Sequence, residues 1–339
     1  MNNSFIKHLL ITLIIFSNYS FWKEFEELFT IYVPIVNTSK IESSINQSFN
    51  NLVFRISGSK SPSNIWKIIN SGSSRKDFIS SYSIKNINNK SYLEVNFNQN
   101  LVIDKFKKLS IPIIGYSRPV IFFLITVESG SEDPYFISKD STNDIDIYIK
   151  ESLDRLSNER GLFLELPLLD LEDKTFLTNT SILNSPQQYL ISKYDFDEYV
   201  DIKLINLGLK KWLIKGDINT DINKESYLED IKQSLDNYLE SLINTTFSDL
   251  KIDTSKTILL EVNIEGIYSY EDYEILKEKL LKNIGITNLE ILNLKNDTIT
   301  YKINAMGDIN NFKKSIENNT FFEFLSEKTE NNLSLRFLK

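Results

Sequence analysis

The chain lacks cysteine altogether, and its only histidine is His8, close to the start. Without a thiol there is no disulfide, no thiolate zinc site and no cysteine nucleophile. Without a second imidazole to stand beside a serine in the folded part of the chain, a Ser-His-Asp triad is excluded as well. Any catalysis would therefore depend on carboxylates, lysine, tyrosine or a Ser-Lys pair.

Alanine and glycine are also scarce, because Ala305 is the only alanine and the 339 residues include just 10 glycines. Glycine alone usually makes up about 7% of a protein. Asparagine, isoleucine and lysine take their place, which is the bias that AT-rich codons produce. Asparagine is consequently a weak turn signal here, and no glycine-rich phosphate loop is present.

Positive charge is in the minority, with 38 Lys and Arg against 46 Asp and Glu and a net charge of -8. A nucleic-acid-binding protein needs clustered bases to neutralise phosphates, whereas the bases and acids of this chain are interspersed. We therefore expect no nucleic-acid partner. The hydrophobic content of 41% is sufficient for folded cores, and the length suggests two or three units.

A long apolar run is missing too, since no stretch approaches the roughly 18 residues of a membrane-spanning helix. At the start, Lys7 precedes an uncharged apolar run (9–16), and the polar residues SNYS follow. This pattern predicts a signal peptide or an uncleaved anchor over residues 1–22, and hence a protein in the periplasm or anchored in the inner membrane facing it. A buried amphipathic first helix is the alternative, although the run lacks helical polar spacing.

Hydrophobic periodicity predicts an α+β, mixed α/β protein of three successive units. An N-terminal α+β domain is expected over 27–110, and a middle domain over 117–250 has the order β-α-β-α-β-β-α, a mixed sheet covered by helices. A C-terminal domain over 255–339 has the ferredoxin-like order βαββαβ, with a terminal strand that would extend it. The segment 111–119 contains two prolines and a glycine and is the predicted boundary between the first two domains.

The most distinctive stretch is GLFLELPLLDLED (161–173), an apolar strand followed at once by acids. Asp170, Glu172 and Asp173 stand where this strand leaves the core, and with Arg118 they form the candidate structural or binding cluster. The favoured interpretation is a structural pin in which Arg118 binds one of the acids. A carboxylate acid–base pair or a divalent cation site would use the same residues, but the pattern of a calcium loop is absent.

Aromatic residues surround the last two predicted strands of the middle domain, at Tyr194, Phe196, Tyr199 and Trp212. Aromatics at strand spacing are more often core residues or cross-strand pairs than the lining of a groove. Ser-Lys pairs occur in SKY (192–194) and SGSK (57–60), but a chain this rich in serine and lysine contains such pairs by chance. Neither pattern identifies a reaction.

Several short runs resemble a family of uncharacterised proteobacterial exported proteins that is classed only as a domain of unknown function. The runs are TIYVPIVNTS (30–39), LVFRISGS (52–59), YLEVNF (92–97), IPIIGYSRP (111–119) and LELPLLDLED (164–173). The resemblance covers 31–216, and the chain departs from it at Ile114, where the family usually has an aromatic residue. The resemblance implies an exported or envelope protein without an assigned activity, so it supplies no catalytic residue.

The element order of the middle domain is also similar to the amino-terminal domain of TolB and to CsgG, which are envelope assembly and binding modules. The sequence thus predicts a non-enzymatic envelope protein that binds another envelope protein, with no cofactor, no metal and no catalytic residue assigned. Contact with a membrane is expected only through an uncleaved N-terminal anchor. The alternatives are a carboxylate-dependent hydrolase or lyase acting on a cell-wall or glycan substrate, and a small-molecule carrier with an apolar cavity in the middle domain.

Overall fold

The computed structural model describes residues 23–35, 41–87, 90–130, 132–178, 186–208, 211–223, 227–317, 319–329 and 331–338. The predicted signal or anchor, including His8, lies outside the described residues. The described chain is a mixed α/β protein with one sheet in each of three successive stretches, so the predicted fold class is confirmed. Among the described residues, no helix is long and apolar enough to cross a membrane.

The N-terminal unit is a three-stranded antiparallel sheet covered by helices, in the strand order β2-β4-β3. Its strands are β2 (Thr30–Pro34), β3 (Ile79–Ile87) and β4 (Lys90–Phe97). Its helices are α1 (Ile41–Ser57), α2 (Pro62–Asn70), a 3-10 helix (Arg75–Phe78) and α3 (Gln99–Lys108). The apolar positions of α1 recur at three- and four-residue spacing, and Phe49, Leu52 and Ile56 are buried in the core that this helix shares with the sheet.

The middle unit is a six-stranded mixed sheet with helices on both faces. Its strands are β6 (Val120–Ser129), β7 (Glu132–Phe136), β8 (Phe163–Glu165), β9 (Glu198–Gly208), β10 (Lys211–Gly216) and β11 (Thr220–Asn223). Its helices are α4 (Asp144–Arg160), α5 (Leu171–Thr178), α6 (Pro186–Ile191) and α7 (Tyr227–Ser248). The continuously apolar β6 is buried on both faces, between a parallel β9 and the edge shared by β7 and β8.

Three elements of the middle unit were not predicted, namely β7, β11 and α5. β7 reads EDPYF and β11 reads TDIN, so both are short and lack the apolar alternation that indicates a strand. Both lie at the edges of the sheet, where a proline such as Pro134 and polar residues are tolerated. α5 follows the predicted strand directly, and its start is marked by Asp170 and Asp173, whose acids were interpreted as a structural or binding cluster and not as a helix cap.

The C-terminal unit contains the predicted βαββαβ order, followed by one further strand. Its elements are β12 (Thr257–Glu265), α8 (Tyr270–Lys282), β13 (Ile286–Lys295), β14 (Thr298–Met306), α9 (Ile309–Glu317), β15 (Phe322–Thr329) and β16 (Asn332–Phe337). The sheet order is β13-β14-β12-β16-β15. The terminal strand therefore does not extend the edge but lies between β12 and β15. Buried Leu333, Leu335 and Phe337 fit this inner place, while the polar end of β15 fits the edge.

The predicted boundary segment 111–119 is largely buried instead of forming an exposed linker. Ile111, Ile113 and Ile114 are inaccessible to solvent, and Ile113 forms an antiparallel bridge with Ile252. Directly afterwards, β5 (Ser117–Arg118) pairs with β1 (Lys23–Glu24). The segment is thus joined by backbone hydrogen bonds to the residues before the N-terminal unit and to the connection between the middle and C-terminal units.

Candidate functional site

The structure separates Arg118 from the three acids, so the predicted pin between them is wrong. The buried Arg118 side chain donates hydrogen bonds to the backbone oxygens of Gly115 (2.7 Å), Ile114 (3.1 Å) and Arg55 (3.2 Å). The carbonyl of Arg55 belongs to the last turn of α1, where backbone oxygens have no partner within the helix. Arg118 satisfies these carbonyls instead of a carboxylate.

Arg118 belongs to a cluster of three fully buried arginines, together with Arg55 and Arg160. Arg55, near the end of α1, donates to the carbonyl of Asn158 near the end of α4 and to that of Thr30 (2.7 Å). Arg160, at the end of α4, reaches back to the carbonyl that follows α1 and also binds α7. The C-terminal ends of two helices therefore meet here, and cations are favourable at such ends.

The arginine cluster is buried, and the ion pair of Arg160 with Glu240 brings one acid to it. Burial lowers the pKa of Arg55 to about 9, and burial together with the charges of Arg55 and Arg160 lowers the pKa of Arg118 to about 9. The Phe247 ring lies 5.3 Å from the Arg118 guanidinium and 5.6 Å from that of Arg160, which adds cation–π attraction. Each arginine donates hydrogen bonds to backbone oxygens, to Glu240 or to Asn244. We therefore assign the cluster a structural role and not a role in ligand binding.

Glycine is required where α4 ends against the cluster. Gly161 has a left-handed backbone with a φ of +64°, and a Cβ atom there would lie 2.7 Å from Cγ of Arg55. Most L residues avoid this φ, and no side chain fits the space. The GLF of the distinctive stretch thus begins with a residue that lets the two helix ends approach.

The acids at the other end of that stretch form a capping box at the start of α5. The Asp173 backbone N–H donates to Oδ1 of Asp170 (2.7 Å), and the Asp170 N–H donates to Oδ2 of Asp173 (3.1 Å). This reciprocal pattern satisfies two of the N–H groups that a helix start leaves without a partner. Glu172, between them, is exposed.

Asp173 is completely buried and held by two further side chains. Lys193 forms an ion pair with its carboxylate, and the Tyr189 hydroxyl donates to it over 2.8 Å. Burial alone would raise the pKa of Asp173, but the hydrogen bonds from Lys193, Tyr189 and the Asp170 backbone outweigh it, so the pKa lies below its usual value. The same hydrogen bond raises the pKa of Lys193. Neither group is poised to exchange a proton near neutral pH.

The residues 167–173, which we call the pinned turn, are also held at their first half. The Tyr194 hydroxyl accepts from the Leu168 N–H and donates to the Leu168 carbonyl, each over 2.9 Å. The Lys139 N–H donates to the carbonyl of Pro167, also over 2.9 Å. Together with the capping box, these contacts hold the backbone of the turn along its whole length.

Two leucines project from the pinned turn into solvent, although their neighbour Leu169 is buried. Leu168 is 54% exposed and Leu171 is 81% exposed, which makes Leu171 the most exposed aliphatic side chain among the described residues. Beside the turn is a pocket of about 260 Å³. Its lining residues are Lys139, Lys150, Leu153, Asp154, Leu164 and Leu166.

The aromatic residues singled out in the sequence pack within the middle unit, as predicted. Tyr194 and Phe196 stack on Phe122 at 4.7 and 5.6 Å between ring centroids, and Trp212 stacks on Tyr227 at 5.5 Å. The two lysines of the Ser-Lys pairs are engaged elsewhere, since Lys193 binds Asp173 and Lys60 binds Glu240. No serine is activated by these lysines.

Sequence reasoning missed the partners of the acids and the burial of two arginines. Asp170 and Asp173 are spaced three apart, as the two members of a capping box are, so a helix start was legible there. Arg55 lies within the apolar run LVFRIS, where a charge on the buried side of a helix signals a specific partner. No comparable sequence signal marks the exposure of Leu168 and Leu171, because apolar residues next to a predicted strand are expected to be buried in the core.

In the part of the chain that the structure describes, no group of three or more acids, histidines or cysteines is arranged to hold a metal ion. Compared with known proteins, the chain matches no family model, no curated protein and no solved structure.

Proposed function

We propose that the protein is a non-enzymatic binding module of the cell envelope, which contacts another envelope protein through the pinned turn. The observation that carries this proposal is the display of Leu168 and Leu171 on a backbone held by Tyr194, Lys193 and the capping box. An exposed aliphatic side chain on a backbone held in place can serve as an anchor that fills a pocket of a partner.

The energetics favour such a contact. Burying a leucine side chain contributes about 1.5–3 kcal/mol, and ordering a flexible loop on binding costs about 1–2 kcal/mol per residue. The pinned turn is ordered before it meets a partner, so most of the gain from Leu168 and Leu171 remains available for affinity. A flexible loop carrying the same two leucines would lose that advantage.

The chemistry of the partner surface follows from the neighbours of Leu171. Asp170 and Glu172 flank it in the sequence and are both exposed, and Asp170 shares only a long contact of 3.5 Å with Lys193. A matching surface is an apolar groove whose rim carries lysine or arginine, because opposite charges at a rim steer association.

The two alternative functions gain no support from the geometry. A glycosidase-type mechanism needs one carboxyl group with a raised pKa and a second facing the substrate, whereas Asp173 is buried with a lowered pKa. A carrier needs an apolar cavity inside the middle unit. The pocket of about 260 Å³ beside the pinned turn is lined by Lys139, Lys150 and Asp154 as well as by leucines, so it is not apolar. The cavity among the core residues Ile125, Ile149 and Leu235 measures about 10 Å³. That volume holds about one water molecule at most.

Residence in the envelope is supported by the signal-like residues 1–22 and by the resemblance to exported proteins. A direct check is to express the chain with and without these residues and to compare the periplasmic and cytoplasmic fractions. Loss of the periplasmic form on removal supports export, whereas export without these residues would contradict this part of the proposal.

The binding itself is tested by placing a photo-cross-linking amino acid at Leu171 in intact cells of the native host. Leu101 on α3, which is 49% exposed and lies in another unit, is the matched control position. We expect a discrete adduct with an envelope protein from position 171 and none from position 101. Adducts of equal yield from both positions, or none from position 171, would contradict the proposal.

A second variant asks whether the rigidity of the turn matters. Tyr194→Phe removes the hydroxyl that bonds both backbone groups of Leu168 but leaves Leu168 and Leu171 in place. We expect the adduct yield at position 171 to fall several-fold in this background, because the turn must then be ordered on binding. An unchanged yield would show that the leucines act without the pinning.

A further inference from the structure

β13 is an exposed apolar strand at the edge of the C-terminal sheet. Among the described residues, no strand pairs with its outer side, and Ile291, Leu292 and Leu294 are 47%, 50% and 65% exposed. Natural sheets usually protect such an edge with charges, proline, a β-bulge or a cover. β13 has two charges, Glu290 and Lys295, and a bulge, but its exposed apolar side chains remain available for pairing. The opposite edge is protected by polar and charged residues, because the outer half of β15 reads SEKT.

The pairing of β13 with β14 defines which face each side chain occupies. Ile291 pairs with Tyr301 and Leu294 with Ile299, and these two partners are buried under the helices. Glu290 pairs with Lys302 and Lys295 with Thr298, on the open face of the sheet. The register shifts between Ile291 and Asn293, so a β-bulge at Leu292 lies between the two halves of the strand.

The bulge makes β13 complementary to itself. We propose that β13 pairs in antiparallel fashion with β13 of a second copy of this chain, with Glu290 opposite Lys295 and Ile291 opposite Leu294. The two-fold axis then passes between Leu292 and Asn293, and each charge pair and each apolar pair occurs twice, as an isologous interface requires.

In this register, paired side chains of the two copies lie on the same face of the sheet only because of the bulge. Side chains alternate along a regular strand, so residues three or five apart would point to opposite faces and could not pair across a continuous sheet. With the extra residue at Leu292, Ile291 and Leu294 share the helix-covered face, and Glu290 and Lys295 share the open face. Cross-strand pairs of these two kinds each stabilise a sheet.

A second copy is favoured over a different peptide because β13 itself contains both residues of the charge pair and both residues of the apolar pair. Glu290 of each copy lies opposite Lys295 of the other copy, so the strand is complementary in charge to itself. The interface is small, below the roughly 1,200 Å² of a stable complex, so we expect a dissociation constant of about 1–100 μM. The dimer joins two five-stranded sheets and leaves the pinned turn of the middle unit free.

Cysteine cross-linking tests the register, because the chain has no cysteine of its own. In the proposed register the two copies of Asn293 are diagonal neighbours on either side of the axis. We expect Asn293→Cys to bring its two thiols close to the Cα separation of about 4.4–6.8 Å that a disulfide needs. Ser326→Cys on the exposed β15 edge is the matched control. We expect rapid oxidation to a covalent dimer for the variant at position 293 only. Equal dimer from both variants, or none from position 293, would overturn the proposal.

Sedimentation velocity of the full chain tests the charge pairs. Glu290→Lys sets two lysines opposite each other twice, and we expect dimerisation about 5- to 10-fold weaker than in the wild type. Adding Lys295→Glu exchanges the charges and restores the wild-type affinity. A wild-type chain that stays monomeric at about 0.5 mM, or a single variant that associates as strongly as the wild type, would overturn the proposal.

Discussion

The two junctions between units are built in opposite ways. At the inner junction, between the N-terminal and middle units, three arginines are fully buried and donate mainly to backbone carbonyls. At the outer junction, with the C-terminal unit, Ile113 and Ile252 exchange two backbone hydrogen bonds, of 3.1 and 2.8 Å. Beside them is a cleft of about 70 Å³, where Glu24 forms ion pairs with Lys279 and Lys282.

The comparison shows that charged groups stabilise the inner junction more than the outer junction, because the arginines of the inner junction are fully buried. Pulling these guanidinium groups away from their carbonyls would leave buried charges and carbonyls without partners, which is costly, so we expect the inner junction to open only when the two units unfold together. The ion pairs of Glu24 remain partly exposed, so their partners can be exchanged for water at a lower cost. The outer junction also buries Ile252, Ile284 and Met306 in the N-terminal core. Because its ion pairs are easier to open than the arginine cluster, we expect the first two units to behave as one body and the C-terminal unit to be the more loosely attached part.

The strongest test of this comparison is Arg118→Met. Methionine fills similar space, but the carbonyls of Arg55, Ile114 and Gly115 lose their donor while buried. We expect the free energy of unfolding, measured by urea denaturation, to fall by about 3 kcal/mol. Arg336→Met is the control, because Arg336 is half exposed, and it should cost less than about 1 kcal/mol. Equal losses would remove the distinction between the junctions.

Gly161→Ala tests the close approach of the two helix ends. Gly72→Ala is a matched control, since Gly72 also has a positive φ but nothing lies within 4 Å of a Cβ built there. Both variants carry the backbone strain of about 1 kcal/mol, and only Gly161→Ala also collides with Arg55. We expect its total loss of unfolding free energy to be about 2–3 kcal/mol. If the two variants lose the same amount, the helix ends have room to separate.

Asp173→Asn examines a buried acid away from both junctions. The folded-state pKa of Asp173 is lowered, so its charge contributes stability above the unfolded pKa of about 3.9, and that stability is lost as the pH falls through the folded value. We expect the variant to be less stable than the wild type by about 1–2 kcal/mol at pH 7, and the gap to shrink below about pH 4. A gap that is independent of pH would mean that the ion pair with Lys193 is unimportant.

Glu24→Gln should have the smallest effect, because it removes ion pairs whose side chains remain partly exposed to water at the outer junction. We expect a loss of less than about 1 kcal/mol in the unfolding free energy, and less still at high salt. Urea denaturation at low and high ionic strength measures both quantities. A loss as large as that of Arg118→Met would show that the outer junction also depends on its charges.

The apolar periodicity of the sequence was sufficient for the elements with a clear buried face, such as α1, α7 and β6. It failed where burial is decided by distant strands. The position of β16 between β12 and β15 depends on which strand pairs with β12, and no local sequence pattern predicts that pairing. β7 and β11 were missed because edge strands need no apolar alternation.

The candidate site was predicted in part for a similar reason. The capping box lies within one short segment, so Asp170 and Asp173 were found together, but their partner Lys193 comes from a helix end 20 residues away from Asp173. An acid was the expected partner of Arg118 because opposite charges attract. Its actual partners include a backbone carbonyl at the end of α1, and backbone groups leave no signal in the sequence.

Native-state hydrogen exchange in low urea tests most directly whether the inner junction makes one body of the first two units. The account predicts that the slowest amides of α1 and α4 exchange through the same opening, with the same free energy and the same urea dependence. Amides of α8 in the C-terminal unit should exchange through a separate opening of lower free energy. If α1 opens well before α4, the arginine cluster does not join the units as described.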